Sequence, residues 1–256
     1  MPMRFGGWLW RHRLGPPVLA LLLLGLAPGA VSANPQASVY SNVTTFDAPC
    51  DGTPDTISET IRVVARTGFQ ERRYETVSYE GTGFTRTKVF SRVPADEGFY
   101  VHSHGDWYLP SDNAAFMTDA AMCSGPKLWS HELQSRRGHG GQLVIMSTCH
   151  LAEVPPSGKL GMYSAFGIER VKSKPDGTGY RGREFFLGYH GDAWTHEQLG
   201  FERIFWAELD KGRNLGQAFD IARANASLGY GTRPDWFGSY TYTGWGPNTT
   251  PCATCQ

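Results

Sequence analysis

The chain has 256 residues, with 24 Lys and Arg against 24 Asp and Glu, 8 His and 5 Cys. That length suits one ordinary domain with a full hydrophobic core. The balanced charge excludes the basic footprint that nucleic-acid binding requires, so no nucleic-acid partner is expected.

The first 33 residues read as a secretory signal peptide. Arg4, Arg11 and Arg13 form a basic leader, Val18 to Ala27 an apolar core, and Val31-Ser32-Ala33 the small residues of a cleavage site. The apolar core is too short to span a bilayer, and His12 interrupts the paired-arginine export pattern. Cleavage after Ala33 leaves 223 residues. It removes those three arginines and no acidic residue, for a formal charge of −3. The expected location is secreted or periplasmic, without membrane contact after cleavage, and the expected state is a monomer. An exported chain usually pairs its cysteines, and five is odd. If Cys149 is the free thiol, Cys50, Cys123, Cys252 and Cys255 form two disulfides. The pairing stays open: Cys252 with Cys255, or one of them back to Cys50 or Cys123. A structural zinc site at Cys252-x-x-Cys255 lacks its second ligand pair.

The elements follow in order. Ala37 to Phe46 reads as a strand and Asp55 to Gly68 as a helix, with Ser58 or Thr56 at its cap and Gly68 at its stop. Tyr74 to Tyr79 alternates as a strand, and Thr85 to Val93 reads as a short helix ended by Pro94. Phe99 to Ser103 is a buried strand. Trp107 to Gly125 is an irregular excursion, and Lys127 to Arg137 a helix burying Leu128, Trp129 and Leu133. Leu143 to Thr148 is the next buried strand. Ser164 to Val171 is a strand or the turn into one, and Phe185 to Tyr189 a further strand. Gln198 to Asp210 and Asn214 to Leu228 are amphipathic helices, the second capped by Asn214. From Gly229 the tail is rich in Gly, Thr and aromatics and reads as irregular or a short β excursion. The domain plan is a signal at 1–33, an α/β domain at 34–228 and a tail at 229–256. Alternating strands and helices predict an α/β fold, with a mostly parallel central sheet covered on both faces.

Two strand ends carry the side chains that look chemical. Phe99-Tyr100-Val101-His102-Ser103-His104-Gly105-Asp106 stops at His-Gly, and Leu143-Val144-Ile145-Met146-Ser147-Thr148-Cys149-His150 stops at Cys-His. Ligand sites in open α/β sheets form at the carboxyl ends of neighbouring strands. One crossover unit fills the interval between His104 and Cys149, so the two ends can be neighbours. A thiol attacks as its thiolate, and a histidine can take its proton and later protonate the leaving group. Gly105, lacking a Cβ, can leave its N–H open to a substrate oxygen.

The pattern of apolar strand, His-Gly, one crossover, apolar strand and Cys resembles the caspase-like cysteine peptidases. These include caspases, metacaspases, legumains, gingipains and bacterial relatives. Thr148-Cys149-His150 is similar to the Ser-Cys-His of metacaspases. The resemblance spans roughly residues 37 to 228, and its specific part is the two short motifs. It implies a three-layer α/β/α sandwich and a peptide or protein substrate. It makes Cys149 the nucleophile and His104 the catalytic histidine, with Gly105 and Cys149 as oxyanion donors. No cofactor or metal is expected, although some relatives require calcium. Ser147 stands where metacaspases carry an acidic residue that holds a basic side chain, and Leu151-Ala152 replaces their Ser-Gly. Asp106, Ser147 and Asp192 are candidate substrate contacts.

Other readings compete. His102 reads as structural. His150 is an alternative base, and His190 and His196 are surface or supporting groups. His102, His104 and Asp106 resemble the zinc-binding motif of metallo-β-lactamase-type hydrolases, but Trp107 occupies the place of its next ligand. A non-catalytic caspase-like binding domain is the remaining alternative.

Overall fold

The computed structural model describes residues 34–42, 56–107, 113–118, 126–136, 143–180 and 182–244. The signal segment and Cys50, Cys123, Cys252 and Cys255 lie outside the described residues, and with them the expected cleavage and disulfides. All described residues belong to one unit of the chain, Ala33–Gln256. No helix among the described residues is long and apolar enough to cross a membrane.

Strands β1 (Gln36–Ser41), β2 (Glu75–Glu80), β3 (Gly98–His102), β7 (Leu143–Ser147), β8 (Phe185–His190) and β9 (Arg233–Gly238) form one sheet in the order β2-β1-β3-β7-β8-β9. Every neighbouring pair is parallel except β8 with β9, which is antiparallel. β3 and β7 read as unbroken apolar runs because both their faces are covered. Successive residues go to opposite faces: Tyr100, Leu143 and Ile145 to one core, Phe99, Val101, Val144 and Met146 to the other. Helices α1 (Thr56–Glu71), α5 (Thr195–Asp210) and α6 (Leu215–Asn225) close the first core with Ile61, Ala65, Phe69, Phe201, Phe205 and Phe219. Helices α2 (Arg86–Arg92), α3 (Ser130–Gln134) and α4 (Met162–Ala165) close the second, through Val89, Leu133, Met162 and Ala165. The expected α/β class and mostly parallel sheet are therefore present.

Several details differ from the sequence reading. Gly68 does not stop α1, which continues to Glu71. A Cβ at Gly68 would run into the Trp206 ring, so the glycine is there to let α1 approach α5. The stretch after His104 is not irregular throughout. β4 (Gly105–Trp107), β5 (Ala114–Met117) and β6 (Lys127–Trp129) form a small antiparallel sheet, whose Ala114, Phe116 and Leu128 enter the second core. The helix expected from Lys127 therefore begins at Ser130, where the Glu132 carboxylate accepts from the Trp129 N–H at 3.1 Å. Of the two readings of Ser164 to Val171, the turn holds: α4 ends at Ala165, a turn follows, and Lys172 makes an isolated bridge with Gly238. The segment beyond Gly229 supplies β9, an edge strand of the main sheet with Trp236 in the first core and Phe237 in the second.

Candidate functional site

β3 and β7 are direct neighbours, paired from Gly98–Leu143 to His102–Ser147. His104 and Cys149 each lie two residues beyond that last pair, on adjacent strand ends, and both are half-buried. Cys149 is in no disulfide. Between them sits Gly105, packed on the Thr148–Cys149 peptide. A Cβ there would drive into the Cys149 carbonyl oxygen and stand 3.0 Å from its amide nitrogen. Only glycine fits this approach. The His104 carbonyl accepts from the Met117 N–H at 2.9 Å, so the small sheet holds the His104 segment in place.

The Cys149 sulfur faces the loop after β8. The Ala193 N–H donates to it at 3.4 Å, and the sulfur lies 3.9 Å from the Ala193 carbonyl. His150 follows in the left-handed region at φ 63. Its N–H donates to the Gly191 carbonyl at 3.0 Å, Nδ1 lies 2.7 Å from Glu153 Oε1, and Nε2 lies 3.4 Å from Asp192 Oδ1. The Asp192 side chain is 87% exposed, open to any ligand on that side. Asp106 belongs to β4, where it pairs with Ala115. Exposed Trp194 and Tyr230 stand with ring centroids 6.3 Å apart, and His196 packs edge-on to Tyr230. Buried Glu197 holds this corner by accepting from the Tyr230 and Thr232 N–H groups.

Beneath the strand ends runs a buried polar network. His102 is fully buried: Nδ1 lies 3.0 Å from the Ser147 carbonyl and Nε2 2.9 Å from Ser58 Oγ. A carbonyl only accepts, so Nδ1 carries the proton and Nε2 accepts from Ser58. With both nitrogens engaged, His102 has the structural place expected of it and no lone pair for a metal. Among the described residues no group of three His, Cys, Asp or Glu side chains is arranged to hold a metal ion. Ser147 is fully buried as well, its hydroxyl 3.2 Å from His102 Nδ1. It faces protein on the first-core side rather than open solvent. Glu202 of α5 joins it, accepting from Tyr100 at 2.7 Å and Tyr189 at 3.0 Å. Burial raises the Glu202 carboxyl, the hydrogen bonds from Ser147, Tyr100 and Tyr189 pull it part of the way back, and it settles at about 7.

At the outer edge, His190 Nε2 lies 3.0 Å from Asp235, which also pairs with Lys172. Burial alone would raise Asp235, but these two partners overcome it and hold the carboxyl at about 2. His190 is therefore a supporting group tied to β9.

The sequence reading missed Glu153, Ala193 and Glu202. Glu153 stands at a turn spacing from His150, but its second partner, Gly191, is 38 residues away. Ala193 acts through its backbone, which leaves no trace in residue type. Glu202 was hidden among the polar positions of an amphipathic helix.

No family model and no curated protein sequence matches the chain. Among solved structures the chain is similar to that of protein GSU0716 from Geobacter sulfurreducens. The TM-score is 0.50 at 11% sequence identity, over 82% of this chain and 97% of the other. At that identity the likeness concerns the fold alone.

Proposed function

We propose that this chain is an exported cysteine endopeptidase of caspase-like fold, acting on peptide or protein substrates through Cys149 and His104. The observation that carries the reading is the register of β3 on β7, with His102 opposite Ser147 and a glycine between the two strand ends that no other residue could replace.

In the proposed reaction the Cys149 thiol gives its proton to His104, and the sulfur attacks the scissile carbonyl carbon. The carbonyl electron pair moves to oxygen, where the N–H groups of Gly105 and Cys149 receive it. Each such donor is worth about 10²–10³ in rate. His104 then protonates the departing amine, a role worth about 10²–10⁴. Water hydrolyses the resulting thioester, giving its proton back to His104. The Ala193 N–H, 3.4 Å from the sulfur, holds it in place at the end of β7. Asp192 offers an exposed carboxylate on one side of the cleft.

The test is hydrolysis of a mixed peptide library by the wild type and by Cys149→Ala, each with and without a chelator. Cleavage lost in Cys149→Ala and insensitive to chelator is expected. Cleavage surviving in Cys149→Ala would refute the reading.

A further inference from the structure

Glu153 lies in the turn that leaves β7, four residues beyond Cys149. A single oxygen of its carboxylate, Oε1, accepts from His150 Nδ1 at 2.7 Å and from the Gly191 N–H at 2.8 Å. The His150 N–H answers with a bond to the Gly191 carbonyl at 3.0 Å. The Ala152 N–H reaches the Tyr189 carbonyl, also at 3.0 Å. His150 keeps φ 63, a conformation a non-glycine residue holds only when its surroundings fix it. Two residues beyond Gly191 comes Ala193, whose N–H meets the Cys149 sulfur at 3.4 Å. One carboxylate oxygen thus ties the Cys149–His150 turn to the segment that carries the sulfur's hydrogen-bond donor.

We infer that Glu153 is a positioning residue for the Cys149 thiolate. It fixes the distance between the Cys149 turn and the Gly191–Ala193 segment, and so keeps the Ala193 N–H on the sulfur. The inference rests on Cys149 being the nucleophile. Glu153 acts through its bonds to Gly191 and His150 rather than on the sulfur itself.

Among the described residues, the charged and titratable groups near this turn include His104 at the end of β3, His150 and Glu153 on the turn, His190 and Asp192 flanking Gly191, with Asp235 bonded to His190, and Arg233 of β9, whose guanidinium approaches Gly191. Three substitutions separate reach from charge. Glu153→Gln keeps an oxygen at full reach and loses the charge. Glu153→Asp keeps the charge and loses one methylene of reach. Glu153→Ala loses both. The reading is the rate and pH midpoint of Cys149 alkylation by iodoacetamide. Mass spectrometry of the Cys149 peptide follows it, so that other thiols do not interfere. Thermal melting accompanies each variant.

Gln is expected to stay within about threefold of the wild type. Asp and Ala should raise the midpoint by about one pH unit, and at any pH well below both midpoints alkylate about tenfold more slowly, because there the thiolate fraction falls tenfold per unit. A merely structural role would lower the melting temperature and leave the midpoint of folded protein in place. If Glu153→Ala does not fold, the Asp and Gln pair decides alone. Equal behaviour of all variants, or rescue by Asp rather than Gln, would overturn the inference. Iodoacetamide needs no peptide recognition. A wild type that alkylates as described but cleaves no peptide would sink the endopeptidase and leave Glu153 in its place.

Discussion

Gly105 rests directly on the backbone of Cys149, with no room for a Cβ between them. This contact joins the two strand ends more tightly than strand pairing alone, because it lies beyond the last paired residues, His102 and Ser147. Gly105→Ala must push the Thr148–Cys149 peptide away. The expected result is a folded protein destabilised by about 1–3 kcal/mol, with labelling of Cys149 by peptide electrophiles slowed at least about tenfold. Urea unfolding and labelling kinetics on one preparation check both halves.

His102 and His104 should separate cleanly. His102→Ala removes the buried hydrogen bonds to the Ser147 carbonyl and from the Ser58 hydroxyl, at a total cost of about 1–3 kcal/mol. His104→Ala removes a half-buried ring at a strand end and should change stability by less than about 1 kcal/mol, while abolishing peptide hydrolysis. Equal destabilisation by the two, or hydrolysis surviving in His104→Ala, would contradict these assignments.

Glu202 gives the fold a pH dependence with a definite sign. Its carboxyl rises from an ordinary 4.5 to about 7 when buried, so the folded state holds the proton more tightly than the unfolded chain. The stabilisation is complete below about pH 4.5 and is lost as the pH climbs through about 7, a difference of roughly 3 kcal/mol. Glu202→Gln removes that dependence. Asp210, also raised to about 7 by burial and by neighbouring Glu71, contributes a slope of the same sign that both proteins share. Urea unfolding at pH 5 and pH 8 should show Glu202→Gln losing less stability over the interval than the wild type. Identical losses would show that Glu202 does not titrate there.

Gly68 tests the packing of α1 on α5. Alanine is the better helix former by about 1 kcal/mol in an exposed helix, but here its methyl would enter the Trp206 ring. Gly68→Ala should therefore destabilise by about 1–3 kcal/mol, and Trp206→Leu in the same chain should recover part of the loss. A stabilising Gly68→Ala would mean that the helices stand further apart.

The main strands were legible because burial on both faces writes itself as an unbroken apolar run. Gly98–His102 and Leu143–Ser147 fall within a residue of their expected limits for that reason. Elements held by distant partners were not legible. Lys127-Leu128-Trp129 has the composition of a helix start, yet pairs as β6 with Ala115, Phe116 and Met117 across a register no local pattern announces. Gly68 reads as a helix terminator unless Trp206 is known to lie against it. The same holds at the site. His104 and Cys149 advertise themselves by residue type, whereas Ala193 contributes a backbone N–H and Glu153 a bond to a loop far along the chain.

The central claim is that His104 and Cys149 work as one unit. Its most direct test is mass-spectrometric mapping of the adduct formed by a peptidyl acyloxymethyl ketone on the wild type and on His104→Ala. The account predicts an adduct on Cys149 in the wild type, formed at least about a hundredfold more slowly in His104→Ala, while small-molecule alkylation of the same thiol persists. No adduct on Cys149 in the wild type, or an adduct formed equally fast without His104, would contradict it.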